Sequence, residues 1–407
     1  TTDYLDHVPE NKVPAGRALG VVTPQGTTGS GVDMMSQMED AVNARAIPIL
    51  LEHEAVKVIQ DESGRVIGLQ ANNDGKMVSL KASKGVIFGT GGYAHDPSAI
   101  ERYQRNHIYG ACAISMSTGD FINIAGNAGA RIGNLSGAWR TQVVLEEALD
   151  YRYLAGGVFY PPGDSMLHVN KYGVRAVNEN RNYNDRTEVH GLYDPSQADY
   201  PNQLMFMVYD QRTAEAFSGV YPIPAPNGDK SHVLSADTLE GLTHALEARL
   251  KSLASKTGDA SLDKDFTVQL TQTIHRYNEF ARSGKDGDFH RGKAGYDTEW
   301  FGAFSPMRSD TEWDANPYPN VTMHPLRSEG QYYAIILGAG ALDTNGGPVV
   351  NAEAQVLNTN GDPIPGLYGA GNCIASPSRD AYWGAGCPLG LSCTFGFIAA
   401  NAASKTA

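Results

Sequence analysis

The chain has 407 residues, a hydrophobic fraction of 41% and a formal net charge of -13. This length can bury the cores of two domains, and the acidity argues against nucleic acid and anionic membranes as partners. The longest apolar stretches fall short of the roughly 20 residues that a bilayer requires, so we expect no transmembrane segment. The four cysteines lack metal-ligand spacing, which predicts no metal site and favours the reducing cytoplasm.

The sequence of the first part of the chain predicts one helix followed by several strands. Apolar spacing predicts a helix over 34–46, and a compact apolar strand follows at 47–51. Glycine-ended turns at 61–64 and 72–75 predict a three-stranded meander over 55–81. A further strand, 84–88, runs directly into Gly89, Thr90, Gly91 and Gly92. A ligand can approach the backbone of such a turn closely, since glycine has no Cβ.

A second motif, Thr118, Gly119 and Asp120, precedes a predicted helix over 121–128. Asp120 is expected either to cap this helix or to contact a ribose or phosphate. From about 153 to 327 the sequence is richer in Tyr, Asn, His and Pro, with predicted helices over 238–255 and 264–283. We interpret this region as an inserted domain, which divides the chain into 1–152, 153–330 and 331–407.

The stretch from 365 to 400 is the most informative part of the sequence. It predicts a short strand, a turn with Gly371 and Asn372, a polar loop, and a helix entered through Gly386 and Pro388. The first amides of a helix have no intrahelical partner and suit an anion or an electron-rich ring. Tyr382 lies four residues before Gly386. Together they could hold a carbonyl oxygen that becomes negative during a reaction.

Several segments, in a fixed order, carry a resemblance to a known family. After the meander they read VIFGTGGYAHD, STGD, HVNKYGVRAVNENRNY, HRYNEFARSGKDGDFHRG, YYAIILGAGALDTNGGPVV, IPGLYGAGN and AYWGAGCPLGLSCTFGFIAA. The chain resembles the flavoprotein family of fumarate reductases and 3-ketosteroid dehydrogenases over essentially its whole length. The Δ1-dehydrogenases are more similar, because their tyrosine and glycine are also followed by a helix containing TFG. Fumarate reductases carry histidines where 337–347 has none.

The resemblance implies an α/β fold, with a glutathione-reductase-like FAD-binding domain and an inserted α+β catalytic domain. FAD is the implied cofactor. In this family a GxGxxG unit cradles the FAD pyrophosphate, and the sequence shows no such fingerprint. We therefore expect an incomplete FAD-binding domain, completed by a second polypeptide that carries the GxGxxG unit.

The resemblance also implies a reaction, in which a ketone is dehydrogenated at its α,β carbons and a hydride passes to flavin N5. Tyr183 is the expected base, with Arg181 or Arg186 lowering its pKa. Tyr382 and Gly386 are expected to hold the enolate oxygen. A further assisting tyrosine of the family is expected outside this chain.

The remaining expected contacts are with the cofactor and the substrate. The expected cofactor-binding residues are Gly89, Thr90, Gly91, Gly92, Thr118, Gly119, Asp120, Gly371, Asn372, Cys387, Pro388 and Leu389. Trp383 and Arg379 are expected to contact an apolar small-molecule ketone, the alternative for Arg379 being a solvated ion pair with Asp380. Two other functions stay open: an FAD-dependent enone or enoate reductase, and a non-catalytic partner subunit that binds no flavin.

Overall fold

The computed structural model describes residues 2–12, 15 and 19–405. The helices are α1 (Gly31–Ala44), α2 (Pro97–Tyr103), α3 (Asp120–Asn127), α4 (Leu145–Asp150), α5 (Tyr183–Thr187), α6 (Gln211–Ala216), α7 (Leu239–Thr257), α8 (Phe266–Ser283), α9 (Gly295–Phe304) and α10 (Cys387–Ser404). The strands are β1 (Glu54–Gln60), β2 (Val66–Asn73), β3 (Lys76–Lys81), β4 (Val86–Phe88), β5 (Ile132–Gly133), β6 (Ala138–Val144), β7 (Met166–Val169), β8 (Leu204–Asp210), β9 (Val233–Ala236), β10 (Tyr332–Thr344), β11 (Gly347–Pro348), β12 (Gln355–Leu357) and β13 (Pro363–Gly369). Short 3-10 turns occupy Glu188–Gly191 and Gly371–Cys373.

The predicted meander is confirmed. Strands β1, β2 and β3 form an antiparallel sheet in that order, and its two turns end on Gly64 and Gly75, both with positive φ. The predicted strand over 47–51 is wrong. Its apolar side chains Ile47, Ile49 and Leu51 are exposed, and the described part of the chain offers this stretch no strand partner. An extended apolar run becomes a strand only where a neighbour satisfies its backbone N–H and C=O groups.

The largest sheet has five strands and is built around β10. Strand β10 pairs antiparallel with β8 along one edge and with β9 and then β6 along the other, and β7 follows β8. Helices α7 and α8, which were predicted over 238–255 and 264–283, bury Leu246, Leu250 and Leu270 in the core against this sheet. Because β6 and β10 come from outside 153–330, the sheet links residues on both sides of each predicted domain boundary. The boundaries themselves stay predictions.

A smaller sheet, in the order β12, β13, β4, brings the two glycine turns together. Strands β4 and β13 run parallel, with Leu367 opposite Val86. Parallel strands that start together also end at the same edge, so Gly89 and Gly371 follow strands that finish side by side. Ligands of α/β proteins bind beyond the carboxyl ends of such strands. The mixed α/β class predicted from sequence is confirmed.

Helix α10 covers the smaller sheet. Its Ala399 and Ala403 pack beside Tyr368 of β13 and Ala354. Within the residues described, α10 has the length and composition to cross a membrane, a property that core helices of soluble proteins share. The cytoplasmic location stays a prediction.

Candidate active site

An open cavity of about 360 Å³ lies where β4 and β13 end. Its lining includes four residues singled out in the sequence, Gly89, Gly91, Gly371 and Asn372. Helix α10 contributes Ser392 and Gly396, which sequence reasoning missed, and the ends of the two strands contribute Ile87, Phe88 and Ala370. The walls therefore come from segments that lie almost 300 positions apart in the sequence, at about 87–91 and 370–396.

Glycine is required at two points around this cavity. A Cβ on Gly92 would collide with the side chain and backbone oxygens of Thr344. Gly371 has a φ of +75°, and a Cβ there would lie 2.5 Å from Ser392 Oγ. The turn at Gly92 is also held by Gly119, whose N–H donates to the Gly92 carbonyl over 3.0 Å. The structure thus brings the 89–92 and 118–120 motifs together.

Two further predicted cofactor contacts, Thr118 and Asp120, lie at the start of α3. Asp120 does not cap α3: the N-cap is Gly119, with a φ of +81°, and Asp120 is the first helical residue. The capping prediction is wrong because only glycine adopts this left-handed conformation without strain. Thr118 Oγ1 donates to Asp120 Oδ1 over 3.0 Å, and both residues are exposed, as is Thr90.

Helix α10 begins in the way that its sequence predicts. Gly386 is the N-cap, with a φ of +87°, and Pro388 occupies the first turn. Among the described residues, no hydrogen-bond acceptor faces the Gly386 N–H. Leu389 is exposed, while Cys387 is buried, and burial raises the pKa of its thiol to about 12. Cys387 is therefore a packing residue that stays protonated at neutral pH.

The two catalytic candidates form a hydrogen bond. The hydroxyl oxygens of Tyr183 and Tyr382 lie 2.6 Å apart, and the side chains are 5% and 2% exposed. Tyr183 begins α5, whose N-cap Asn182 accepts from Asp185 N–H, and Tyr382 lies in the loop before α10. Trp139 of β6 packs against the ring of Tyr382.

A third tyrosine, Tyr4, was missed by the sequence analysis. Its ring centroid lies 5.9 Å from that of Tyr183 and 6.0 Å from that of Tyr382, and its hydroxyl is 2.6 Å from that of Tyr160. The sequence predicts an assisting tyrosine outside this chain, whereas the structure places Tyr4 beside both candidates. The polar segment around Tyr4 has no periodic pattern, so no local signal could have assigned it.

Contacts with α9 hold this amino-terminal segment in place. The N–H of Tyr296 donates to Asp6 Oδ2 over 2.9 Å, and the N–H of Thr2 donates to Glu299 Oε2 over 2.7 Å. Trp300 packs edge-on against Tyr4. Tyr4 is thereby fixed between α9 and the Tyr183 and Tyr382 pair.

The expectation that an arginine lowers the pKa of Tyr183 is wrong. Burial raises the pKa of Tyr183, and the neighbouring Tyr382 adds to the rise. Arg186 points its Nε to Gln142 Oε1, 2.7 Å away. Arg181 lies 3.8 Å from the carboxylate of Asp297. Burial likewise raises the pKa of Tyr382, so both phenols are neutral at neutral pH.

The predicted substrate contacts differ in their surroundings. Trp383 is 46% exposed, beside the buried Tyr382. Arg379 is exposed with a φ of +53°, and its carbonyl accepts from Asn345 Nδ2 over 3.2 Å. Asp380 is exposed as well, and both roles of Arg379, the substrate contact and the solvated ion pair, stay predictions.

The chain is similar to a known protein family and to several characterised enzymes. The sequence profile of a family described as FAD binding domain matches residues 14–389. A 4-oxocyclohexanecarboxylate 2-dehydrogenase of Sinomonas cyclohexanicum is 30% identical over 83% of this chain and 54% of its own length. A 3-oxosteroid 1-dehydrogenase of Mycolicibacterium smegmatis is 30% identical over 97% of this chain and 66% of its own length. A cytochrome-type fumarate reductase of Shewanella frigidimarina is 25% identical over 94% of this chain and 56% of its own length.

A solved structure shows the same relationship. The 3-ketosteroid Δ1-dehydrogenase of Sterolibacterium denitrificans, in complex with 1,4-androstadiene-3,17-dione, superposes with a TM-score of 0.72 at 26% identity. The match covers 90% of this chain and 62% of that one. The chain thus spans between about half and two thirds of the length of the curated relatives described above.

Proposed function

The chain belongs to the FAD binding domain family, and we propose that it dehydrogenates the carbon–carbon bond beside a ketone. The observation that carries this proposal is the 2.6 Å contact between the buried hydroxyls of Tyr183 and Tyr382. Removal of a proton next to a carbonyl needs a base and a donor to the oxygen that becomes negative. Two phenols in contact, next to the start of α10, supply groups for both tasks.

The residues present fit part of an FAD molecule. The cavity at the ends of β4 and β13 is lined by glycine turns that let a ligand reach the backbone. Asn372 Oδ1 is buried on this wall without a hydrogen-bond partner, which suits a ligand that donates a hydrogen bond. Bound FAD supplies the hydride acceptor. Gly89, Gly91, Gly371 and Asn372 would hold it.

The chain's own residues handle the proton and the carbonyl oxygen. As Tyr183 takes the proton from the carbon next to the ketone onto its phenol oxygen, it passes its own proton along the hydrogen bond to the Tyr382 oxygen, and Tyr382 passes its proton to the ketone oxygen. The Tyr382 hydroxyl and the Gly386 N–H donate to the ketone oxygen as negative charge develops on it. Tyr4 excludes water from the pair and, through its bond to Tyr160, keeps a second hydroxyl near Tyr183.

A cyclic, apolar ketone suits this site best. The buried phenols are surrounded by aromatic side chains, including Trp139, Phe159 and Trp300, which favour contact with a flat hydrocarbon ring. The names of both dehydrogenase relatives describe a ketone on a ring. Trp383 would extend this apolar wall on the solvent side.

Reduction of a dicarboxylate, as in the fumarate reductase relative, has less support. A dicarboxylate would need a free arginine, and Arg175 and Arg291 are two candidates for that role. In the structure both are buried and paired with Glu179, whose Oε2 lies 2.8 Å and 3.4 Å from their respective nitrogens. Neither guanidinium is therefore available to a substrate.

The test is to mix the native flavoprotein with ketones in the absence of oxygen. We expect a 3-oxosteroid or a substituted cyclohexanone to bleach the oxidised flavin absorption. Reoxidation of the reduced flavin by enones or fumarate, without bleaching by saturated ketones, would instead indicate the reductase. A native protein without flavin absorption would indicate the non-catalytic subunit.

We also propose that a second polypeptide carries the GxGxxG unit of the FAD-binding domain. We expect a denaturing gel of the native flavoprotein to separate two chains, with the GxGxxG peptides and the peptides of this sequence in different bands. One band that contains both sets of peptides would contradict it.

A further inference from the structure

We propose that Asp343 is a positioning residue for the cofactor: it ties the two glycine turns together and fixes the orientation of the amide of Asn372, which lines the cavity. This inference rests on the FAD site of the proposed function, and neither residue type nor spacing drew attention to Asp343 in the sequence. It concerns how the site is held, and makes no claim about the substrate.

Asp343 reaches the turns from the far end of the central strand. It lies next to the end of β10, where the register with β6 shifts between Ala341 and Asp343. Such an irregularity redirects a side chain out of the regular alternation of a strand. The carboxylate is thereby directed away from the sheet and is 3% exposed.

The carboxylate accepts hydrogen bonds from three segments. Its Oδ2 accepts from the Gly92 N–H over 2.8 Å and from Asn372 Nδ2 over 2.9 Å. Its Oδ1 accepts from the N–H of Thr344 over 2.8 Å, and Thr344 Oγ1 accepts from the N–H of Tyr93 over 2.7 Å. Asp343 and Thr344 together therefore fix the backbone of the 89–92 turn against the 371–373 turn.

These bonds determine which end of the Asn372 amide faces the ligand. A carboxylate accepts hydrogen bonds when ionised, so the Nδ2 group of Asn372 must point to Asp343. The Oδ1 atom is then left buried and without a partner, on a residue that lines the cavity. A carbonyl oxygen can only accept, so a ligand group that reaches it must be a hydroxyl or a ring N–H.

The charge of Asp343 excludes one part of the cofactor from this position. Burial raises the pKa of Asp343, while the bonds from Asn372 and Gly92 oppose that rise. Neither an ionised carboxylate nor a carbonyl oxygen would stabilise a phosphate. The geometry therefore points to the sugar-alcohol hydroxyls or the flavin ring N–H as the group next to Asn372, rather than the diphosphate.

The experiment uses the native flavoprotein with FAD removed and then titrated back, followed by flavin fluorescence. Asp343→Asn turns one acceptor oxygen into an NH2 donor, which then faces either the Thr344 N–H or the donors of Gly92 and Asn372. We expect FAD to bind about tenfold more weakly, the loss of one to two hydrogen bonds. The double variant Asp343→Asn/Asn372→Asp gives the new NH2 group a carboxylate to donate to. It is expected to recover most of the affinity.

Asp210→Asn is the matched control. Asp210 is also buried and bonded, with its Oδ1 2.6 Å from Ser165 Oγ, and it pairs with Tyr332 at the opposite end of β10. We expect this variant to lose thermal stability and keep its FAD affinity. Equal affinity losses in Asp343→Asn and Asp210→Asn, or no recovery in the double variant, would overturn the role of Asp343.

Two further outcomes separate this inference from the proposed function. If wild-type protein binds FAD and Asp343→Asn binds it equally well, only the role of Asp343 fails. If the wild type binds no FAD, both fail. If the wild type rebinds FAD normally but ketones do not bleach the flavin, the proposed reaction is contradicted. The role of Asp343 is then still decided by the FAD titration of its variants.

Discussion

The hydroxyl oxygens of Tyr183 and Tyr382 lie 2.6 Å apart although 199 positions separate the residues. Tyr183 is fixed on α5, which packs on β6, and Tyr382 is fixed by the loop that leads into α10. The contact therefore depends on the relative placement of the central sheet and the smaller sheet. It also joins the expected base to the expected oxygen donor.

Loss of the Tyr183 hydroxyl should slow the reaction without removing FAD. Tyr183→Phe keeps the ring that packs against Tyr4 and Phe159 and removes only the proton acceptor. We expect kcat to fall by about 10² to 10⁴, the usual contribution of a positioned acid or base. Turnover with a ring ketone and the flavin absorption spectrum provide the measurements. Tyr151→Phe, on an exposed side chain, is the control, and equal turnover of the two variants would rule out Tyr183 as the base.

Gly386→Ala tests the amide at the start of α10. A Cβ at this position meets no atom within 4 Å, so the effect must come through the backbone, whose φ of +87° costs an alanine about 1 kcal/mol or more. A shifted amide should lower kcat by about 10² or more, as for a lost oxyanion donor.

Gly126→Ala is the matched control for this change. Gly126 lies within α3 with open space around its Cβ position, so alanine should stabilise the protein by about 0.4–1 kcal/mol. Melting temperatures and turnover of both variants give the answer. A Gly386→Ala enzyme with wild-type kcat would show that the amide does not contact the substrate.

The buried phenols should make the protein unstable in alkali. Burial raises the pKa above the ordinary 10.0 in each of Tyr160, Tyr183, Tyr209, Tyr277, Tyr296 and Tyr382. Above pH 10 or so the unfolded chain loses these protons while the folded chain keeps them, so ionisation favours unfolding. Stability should be complete below that pH and fall steeply above it. Urea denaturation at increasing pH, with tyrosinate absorbance, measures this; ionisation of all 20 tyrosines before unfolding would contradict it.

Asp286 should govern stability in acid. Burial alone would raise the pKa of Asp286, but the hydrogen bonds from Arg175 lower this pKa to about 2. The carboxylate therefore stabilises the fold above its ordinary pKa of 3.8, and this contribution disappears as the pH falls towards 2. Asp286→Asn should cost about 3–5 kcal/mol at neutral pH, because it leaves Arg175 buried with fewer charges opposite.

The exposed pair between Arg308 and Asp310 is the control for Asp286. Asp310→Asn should change the free energy of unfolding by at most about 0.5 kcal/mol. Denaturant midpoints measured from neutral to acid pH compare the two variants. An Asp286→Asn protein with an unchanged acid dependence would show that the pairing with Arg175 contributes little.

The sequence by itself determined the local elements and the family. Apolar spacing predicted the helix that is α1, glycine-ended turns predicted the β1 to β3 meander, and the entry through Gly386 and Pro388 predicted the start of α10. These features depend on residues within a few positions of one another, so they can be read along the chain.

Only the tertiary structure decided what surrounds each side chain. It placed Tyr4 beside Tyr183, joined Asp343 to Gly92 across 251 positions, and left 47–51 without a strand partner. It also reversed the expected pKa shift of Tyr183, because burial outweighs any nearby arginine that is turned towards other partners. Burial and long-range contacts follow from the packing of distant segments, and no local pattern in the sequence encodes them.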